Sequence, residues 1–178
     1  MSQNPQMDVL YMKDFGHVLG IFTRTSEPEK METDVSAFVG DGLHLRGLVN
    51  GQDLVVAPDL IGIFRADRNW RQIFQPLTLY ASGPPNAPTL KTFSGPLSLA
   101  FATPDLTITV TAGNTANVLV LALDTAGGTP VSFNAQVAAG QSAINVPMTG
   151  LAPGHHYNAF VFVPTYPISH VSPTFVAP

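Results

Sequence analysis

Five histidines, a run of carboxylates and one tryptophan among arginines are the residues of this 178-residue chain whose types could carry chemistry. In GDGLHLRG, His44 lies between Asp41 and Arg46, and an Asp–His pair can orient a general base. No Gly-x-Ser-x-Gly elbow or other nucleophile motif accompanies it, so the solvent face of a strand explains these residues better. His155 and His156 are adjacent in a turn, where neighbouring side chains diverge. No two of His17, His44, His155, His156 and His170 have the His-x-x-x-His spacing of a zinc site. Glu27, Glu29, Glu32 and Asp34 cluster in SEPEKMETD without the alternating oxygen ligands and bend glycine of a calcium loop; a solvated charged loop is expected. There is no phosphate loop or dinucleotide fingerprint. The expectation is a chain that is not an enzyme, with no metal and no cofactor.

The stretch RADRNWRQIF is different in kind. It sets Arg65, Arg68 and Arg71 around Trp70, and Trp with Arg is the enrichment found at protein-interface hot spots. The same set could stack a base or a sugar. A third reading packs Trp70 at a domain junction and leaves the arginines in water. Trp70, Arg68 and Arg71 are carried forward as candidate interface residues.

The elements that must position these residues are read from composition and pattern. Hydrophobic residues make up 45% of the chain and charged ones only 11%, which excludes disorder driven by low hydrophobicity and high charge. A net charge of −4 disfavours general nucleic-acid binding. No apolar stretch approaches the roughly 20 residues that cross a bilayer. With no cysteine there can be no disulfide, thiolate metal site or cysteine nucleophile. The opening MSQNPQMDVLYMKDFG has neither a basic head nor an apolar core, so a secretory signal is not expected. The expectation is synthesis in the cytoplasm and incorporation into an assembled particle.

Charge is distributed unevenly. Seven of the eight basic and ten of the twelve acidic residues precede position 82, leaving Lys91, Asp105 and Asp124 beyond it. ASGPPNAPTL (81–90) has linker chemistry, which predicts a small β domain over 1–81 and a second domain over 82–178. In the first, MDVLYM, HVLGIFTRT, DVSAFVGDGLHLRGLV, DLVVAP and LIGIFRA read as short strands, with an Asn-Gly hairpin in VNGQD (49–53). Only SEPEKMETD and RADRNWRQIF could hold a helical turn, and a small β-barrel or β-roll is expected. In the second, LTITVTA sets Leu106, Ile108 and Val110 on one face and threonines on the other. ANVLVLALD, PVSFNAQV, SAINVPMTGL, HYNAFVFVP and SPTFVAP follow as strands. Several short strands at this spacing predict a β-sandwich, so the whole chain is all-β.

GLAPGHHY (150–157) resembles the turn between the fifth and sixth strands of fibronectin type III domains, where Leu-x-Pro-Gly-x-x-Tyr recurs. GPPNAPTL is similar to that family's usual beginning, and residues 82–178 have its length. The resemblance covers this half only and lacks the family's early-strand tryptophan, since Trp70 lies outside it. It implies an immunoglobulin-like sandwich in which Tyr157 forms a tyrosine corner, its hydroxyl bonding back to nearby backbone.

With Tyr157 pointing inward, alternation sends Ala159, Val161 and Val163 inward and Asn158, Phe160 and Phe162 away from the sandwich. Val118, Val120 and Ala122 likewise oppose Leu119, Leu121 and Leu123, on a strand that this topology places alongside. One sheet would then be apolar on its outside, over several hundred Å² by the usual size of functional patches. Phe160, Phe162, Leu119, Leu121 and Leu123 are expected to contact another chain; cover by the N-terminal domain of the same chain is the competing reading. The functional expectation is a non-enzymatic structural component of a multi-subunit assembly, homo- or hetero-oligomeric, contacting itself or other structural subunits, with no nucleic acid and no membrane span. Such modules resemble those of phage virions and contractile injection particles. The alternative is a monomeric carbohydrate- or peptide-binding module.

Overall fold

Every element that organises the chain is a strand or a single helical turn, and the reason lies in the short, β-branched, Gly-punctuated runs. A computed structural model describes residues 6–23, 34–49, 52–84, 88–93, 95, 97–102, 104–110, 114–170 and 175–177, except the side chains at 46–49, 52, 70, 71 and 170. The N-terminal half contains β1 (Gln6–Met12), β2 (Val18–Phe22), α1 (Ser36–Val39), β3 (Leu43–Val49), β4 (Gln52–Val56), β5 (Ile61–Asp67), α2 (Trp70–Phe74) and β6 (Leu79–Ser82). Then come β7 (Thr89–Thr92), β8 (Ser98–Ala102), β9 (Asp105–Thr109), β10 (Ala116–Asp124), β11 (Val131–Val137), β12 (Ala143–Pro147), β13 (His156–Phe162), β14 (Ser169–His170) and β15 (Phe175–Val176).

The N-terminal strands form an antiparallel sheet in the order β2-β1-β5 and two hairpins, β3-β4 and β6-β7. Of the expected β-barrel or β-roll, the closed barrel is not formed: among the described residues no sheet closes, because β2, β5, β3 and β4 each have a ladder on one side only. The hairpin read from VNGQD is present, with Val49 opposite Gln52; Asn50 and Gly51 themselves lie outside the described residues. DVSAFVGDG, read as strand, instead opens with α1. Asp34 causes this: its Oδ1 accepts the Ser36 amide at 3.0 Å and the Ser36 hydroxyl at 2.6 Å, starting a helical turn that ends at Gly40 with φ 57°. RADRNWRQIF completes β5 and then turns into α2, whereas SEPEKMETD lies outside the described residues except Asp34. ASGPPNAPTL runs from β6 into β7, which pair antiparallel with Ser82 opposite Thr89.

The C-terminal half stacks two antiparallel sheets. One has the order β12-β9-β8; the other has β11-β10-β13, with β14 and β15 both pairing with β13. β8 and the two-residue β14 are strands of this half that the sequence pattern did not announce. Between the sheets lie Leu106, Ile108, Val110, Val118, Val120, Ala122, Val137, Val146, Tyr157, Ala159, Val161 and Val163. Their period-two placement is what made both faces legible in the sequence.

β10 and β13 lie side by side, with Leu119 opposite Phe162 and Leu121 opposite Phe160. Their outward residues are not exposed. Leu119, Leu121, Leu123, Phe160 and Phe162 share one apolar cluster with Leu10, Met12, Phe15, Leu19, Leu45, Leu54, Val56 and Ile61 of the N-terminal half. The expected contact of these five residues with another chain is thereby corrected, since their own chain covers them. The energetic reason is plain. Burying a Leu or Phe side chain is worth about 1.5–3 kcal/mol, so the five together contribute on the order of 10 kcal/mol. That is comparable with the whole net stability of a domain, about 5–15 kcal/mol.

Candidate binding surface

A polar contact amid aromatic rings joins the halves. His17, fully buried just ahead of β2, donates from Nε2 to the Tyr166 carbonyl at 2.8 Å, and Tyr166 follows β13. The Phe93 and Phe162 rings each lie 5.3 Å from the imidazole, and Phe93 stacks on Tyr80 at 5.5 Å. Burial pushes the His17 pKa down to about 4, against the opposing pull of its hydrogen bond to Tyr166. A neutral imidazole held by a carbonyl between rings is a structural clasp. Gly16 makes the close approach possible: its φ is 77°, its carbonyl accepts the Ala81 amide at 2.6 Å, and a Cβ there would lie 2.5 Å from the Ala81 oxygen.

The corner predicted from Leu-x-Pro-Gly-x-x-Tyr is formed. The Tyr157 hydroxyl accepts the Ala152 amide at 3.0 Å, with the ring buried against Phe175. At the same corner His155 Nδ1 lies 2.6 Å from Asp124 Oδ2, and Asp124 Oδ1 accepts the Ala126 amide at 2.8 Å. Those two hydrogen bonds, Ala126 first, hold the Asp124 carboxyl below its usual range. The pair ties the β10 end to the corner on an exposed surface and brings no third metal ligand: among the described residues no three His, Cys, Asp or Glu side chains gather.

The other candidates from the sequence are not brought together. His44 Nδ1 faces Asp53 at 3.7 Å, a cross-hairpin pair, rather than Asp41, and both its partners are solvent-exposed. Arg65 Nε meets buried Asp8 at 3.1 Å across β1 and β5. Arg68 is half-buried just before α2; Trp70 and Arg71 stand on α2, their side chains outside the described residues.

What the surface does offer, and the sequence did not single out, is Phe74 at the end of α2, 77% exposed. β2 packs against both α2 and the turn at 76–78, and these neighbouring elements also expose Phe22 and Leu77. An aromatic in a short helix beside Trp70 was visible in RADRNWRQIF; its exposure was not, because only packing decides which side of a one-turn helix faces out.

The strand order of the two sheets and the Tyr157 corner together decide the architecture. The C-terminal half is a fibronectin type III-like sandwich. No protein-family model and no curated protein matches the chain. Among solved structures, the FN1-FN3 domains of chicken CNTN1 are similar at 12% identity and a TM-score of 0.32, over 99% of this chain and 57% of that one. The chain thus spans little more than half the length of that structure. No helix among the described residues is long and apolar enough to cross a membrane.

Proposed function

We propose that this protein is a non-enzymatic structural component of a multi-subunit assembly, of the kind found in virions or contractile injection particles. The observation that carries the reading is the composition of the sandwich surface. Beyond residue 82 only Lys91, Asp105 and Asp124 are charged, and Asp124 is engaged at the corner. The exposed positions of β11 and β12 are Val, Ser, Asn, Gln, Ala and Pro. Free surfaces are well supplied with Lys, Glu and Asp, whereas interface cores are depleted of them. Since the apolar face of the β10–β13 sheet is spent on the N-terminal half, the contacting surface is the neutral remainder of the sandwich, with Trp70, Arg68 and Arg71 as a second contact around α2.

Light scattering on the intact chain, from dilute to concentrated solution, tests this. A mass rising above the 18.9 kDa of one chain supports it, and a single-chain mass throughout overturns assembly of this chain with itself. Exposed Phe74, on the same short helix as Trp70, favours one other reading, a carbohydrate- or peptide-binding module with an aromatic platform. In that case the chain stays monomeric, and oligosaccharides or peptides change Trp70 fluorescence in the native chain but not in Phe74→Ala.

A further inference from the structure

Sheet edges are templates for another strand, and proteins usually blunt them with Lys, Pro, bulges or brevity. β11 has none of these. It is the end strand of its sheet, seven residues long, VSFNAQV, with no charge and no proline, and it pairs with β10 in an unbroken register from Ala116 opposite Val137 to Ala122 opposite Val131. Among the described residues nothing ladders onto its other side.

The strand is also self-complementary. In an antiparallel pairing centred on Asn134, Val131 stands opposite Val137, Ser132 opposite Gln136, Phe133 opposite Ala135, and Asn134 opposite its own copy. Apolar meets apolar on the face that lines the sandwich, where Phe133 and Ala135 are only half-buried and Val131 is 38% exposed. Polar meets polar on the other face, where Ser132, Asn134 and Gln136 are exposed. A large residue falls against a small one, Phe133 against Ala135. A register centred on a residue also lets the outward amides and carbonyls of both copies satisfy one another, whichever alternate set faces out.

We propose that β11 is the interface of a two-fold dimer, the occupant being β11 of a second copy of this chain, so that the two outer sheets join into one continuous sheet. The interface is isologous, as two-fold symmetry demands. It rests on the assembly reading above and names the first partner within it.

Two variants of the intact chain test the register. Directly opposed residues of an antiparallel pair have Cβ atoms about 4.5–5.5 Å apart, close to disulfide reach. The chain has no cysteine of its own, so Asn134→Cys should oxidise to a covalent dimer, with loss of two thiol hydrogens to a mild disulfide oxidant such as oxidised glutathione. Ser132→Cys, whose own copy lies four residues away along the pair, should not. Asn134→Lys places like charges opposite each other and should return the light-scattering mass to one chain with an unchanged melting temperature. A mass above one chain that survives Asn134→Lys, with no preferential cross-link from Asn134→Cys, overturns the β11 pairing and leaves the assembly reading standing. A single-chain mass at every concentration overturns the β11 dimer and any assembly of this chain with itself.

Discussion

His17 Nε2 and the Tyr166 carbonyl lie 2.8 Å apart across 149 residues of sequence, a hydrogen bond that pins the strand entering the N-terminal sheet to the loop leaving β13. It sits at the rim of the apolar cluster that covers the sandwich, with Phe162 belonging to both. The outer face of β10 and β13 is therefore the floor of a shared core, and the halves are mutually dependent for burial.

Acid should loosen this clasp. His17 titrates near 6.5 when unfolded and near 4 when folded, so between those values the unfolded chain binds the extra proton and stability falls as pH falls. The contribution is intact above pH 6.5 and gone below pH 4, a loss of about 3–4 kcal/mol at roughly 1.4 kcal/mol per unit. Urea midpoints measured across that window should show the slope in the native chain and a flatter profile in His17→Gln. The lowered carboxyls of Asp34 and Asp124 act below the usual aspartate range and leave the window clear.

Phe160→Ala should cost about 3–5 kcal/mol, the range for emptying a buried aromatic site. Phe74→Ala should stay within about 0.5 kcal/mol, because that ring is in solvent. Denaturant unfolding of the two variants distinguishes a covered sheet face from an open one. An outer face open to solvent would give Phe160→Ala a cost as small as that of Phe74→Ala.

Gly16→Ala should destabilise the chain by at least about 2 kcal/mol, combining a left-handed backbone with collision against a backbone oxygen that cannot move alone. Thermal melting reads it directly.

Tyr157→Phe removes the acceptor for the Ala152 amide while keeping the buried ring. An expected loss of about 1–2 kcal/mol reflects one lost hydrogen bond and a stranded amide. A melting temperature equal to that of the native chain would show that the corner contributes nothing.

The sequence by itself determined most strands of the sandwich, though not β8, together with the inward and outward faces of β10 and β13 and the Tyr157 corner. Those follow from period-two alternation and from a turn whose residues fix their own geometry, both local properties. It also determined that the outer sheet face had to be covered, since five large apolar side chains cannot be left in water cheaply. What covers that face was decided only in three dimensions: Leu10, Met12, Leu45, Leu54, Val56 and Ile61 lie in ordinary apolar strand runs that do not name their partner. The same holds for α1, where one Asp34 side chain outweighed strand propensity, and for β6 and β7, whose pairing joins segments that read as two sides of a linker. Burial is a property of surfaces meeting, and the hydrophobic effect that drives it has no direction of its own; only the packed chain assigns each apolar face to its mate.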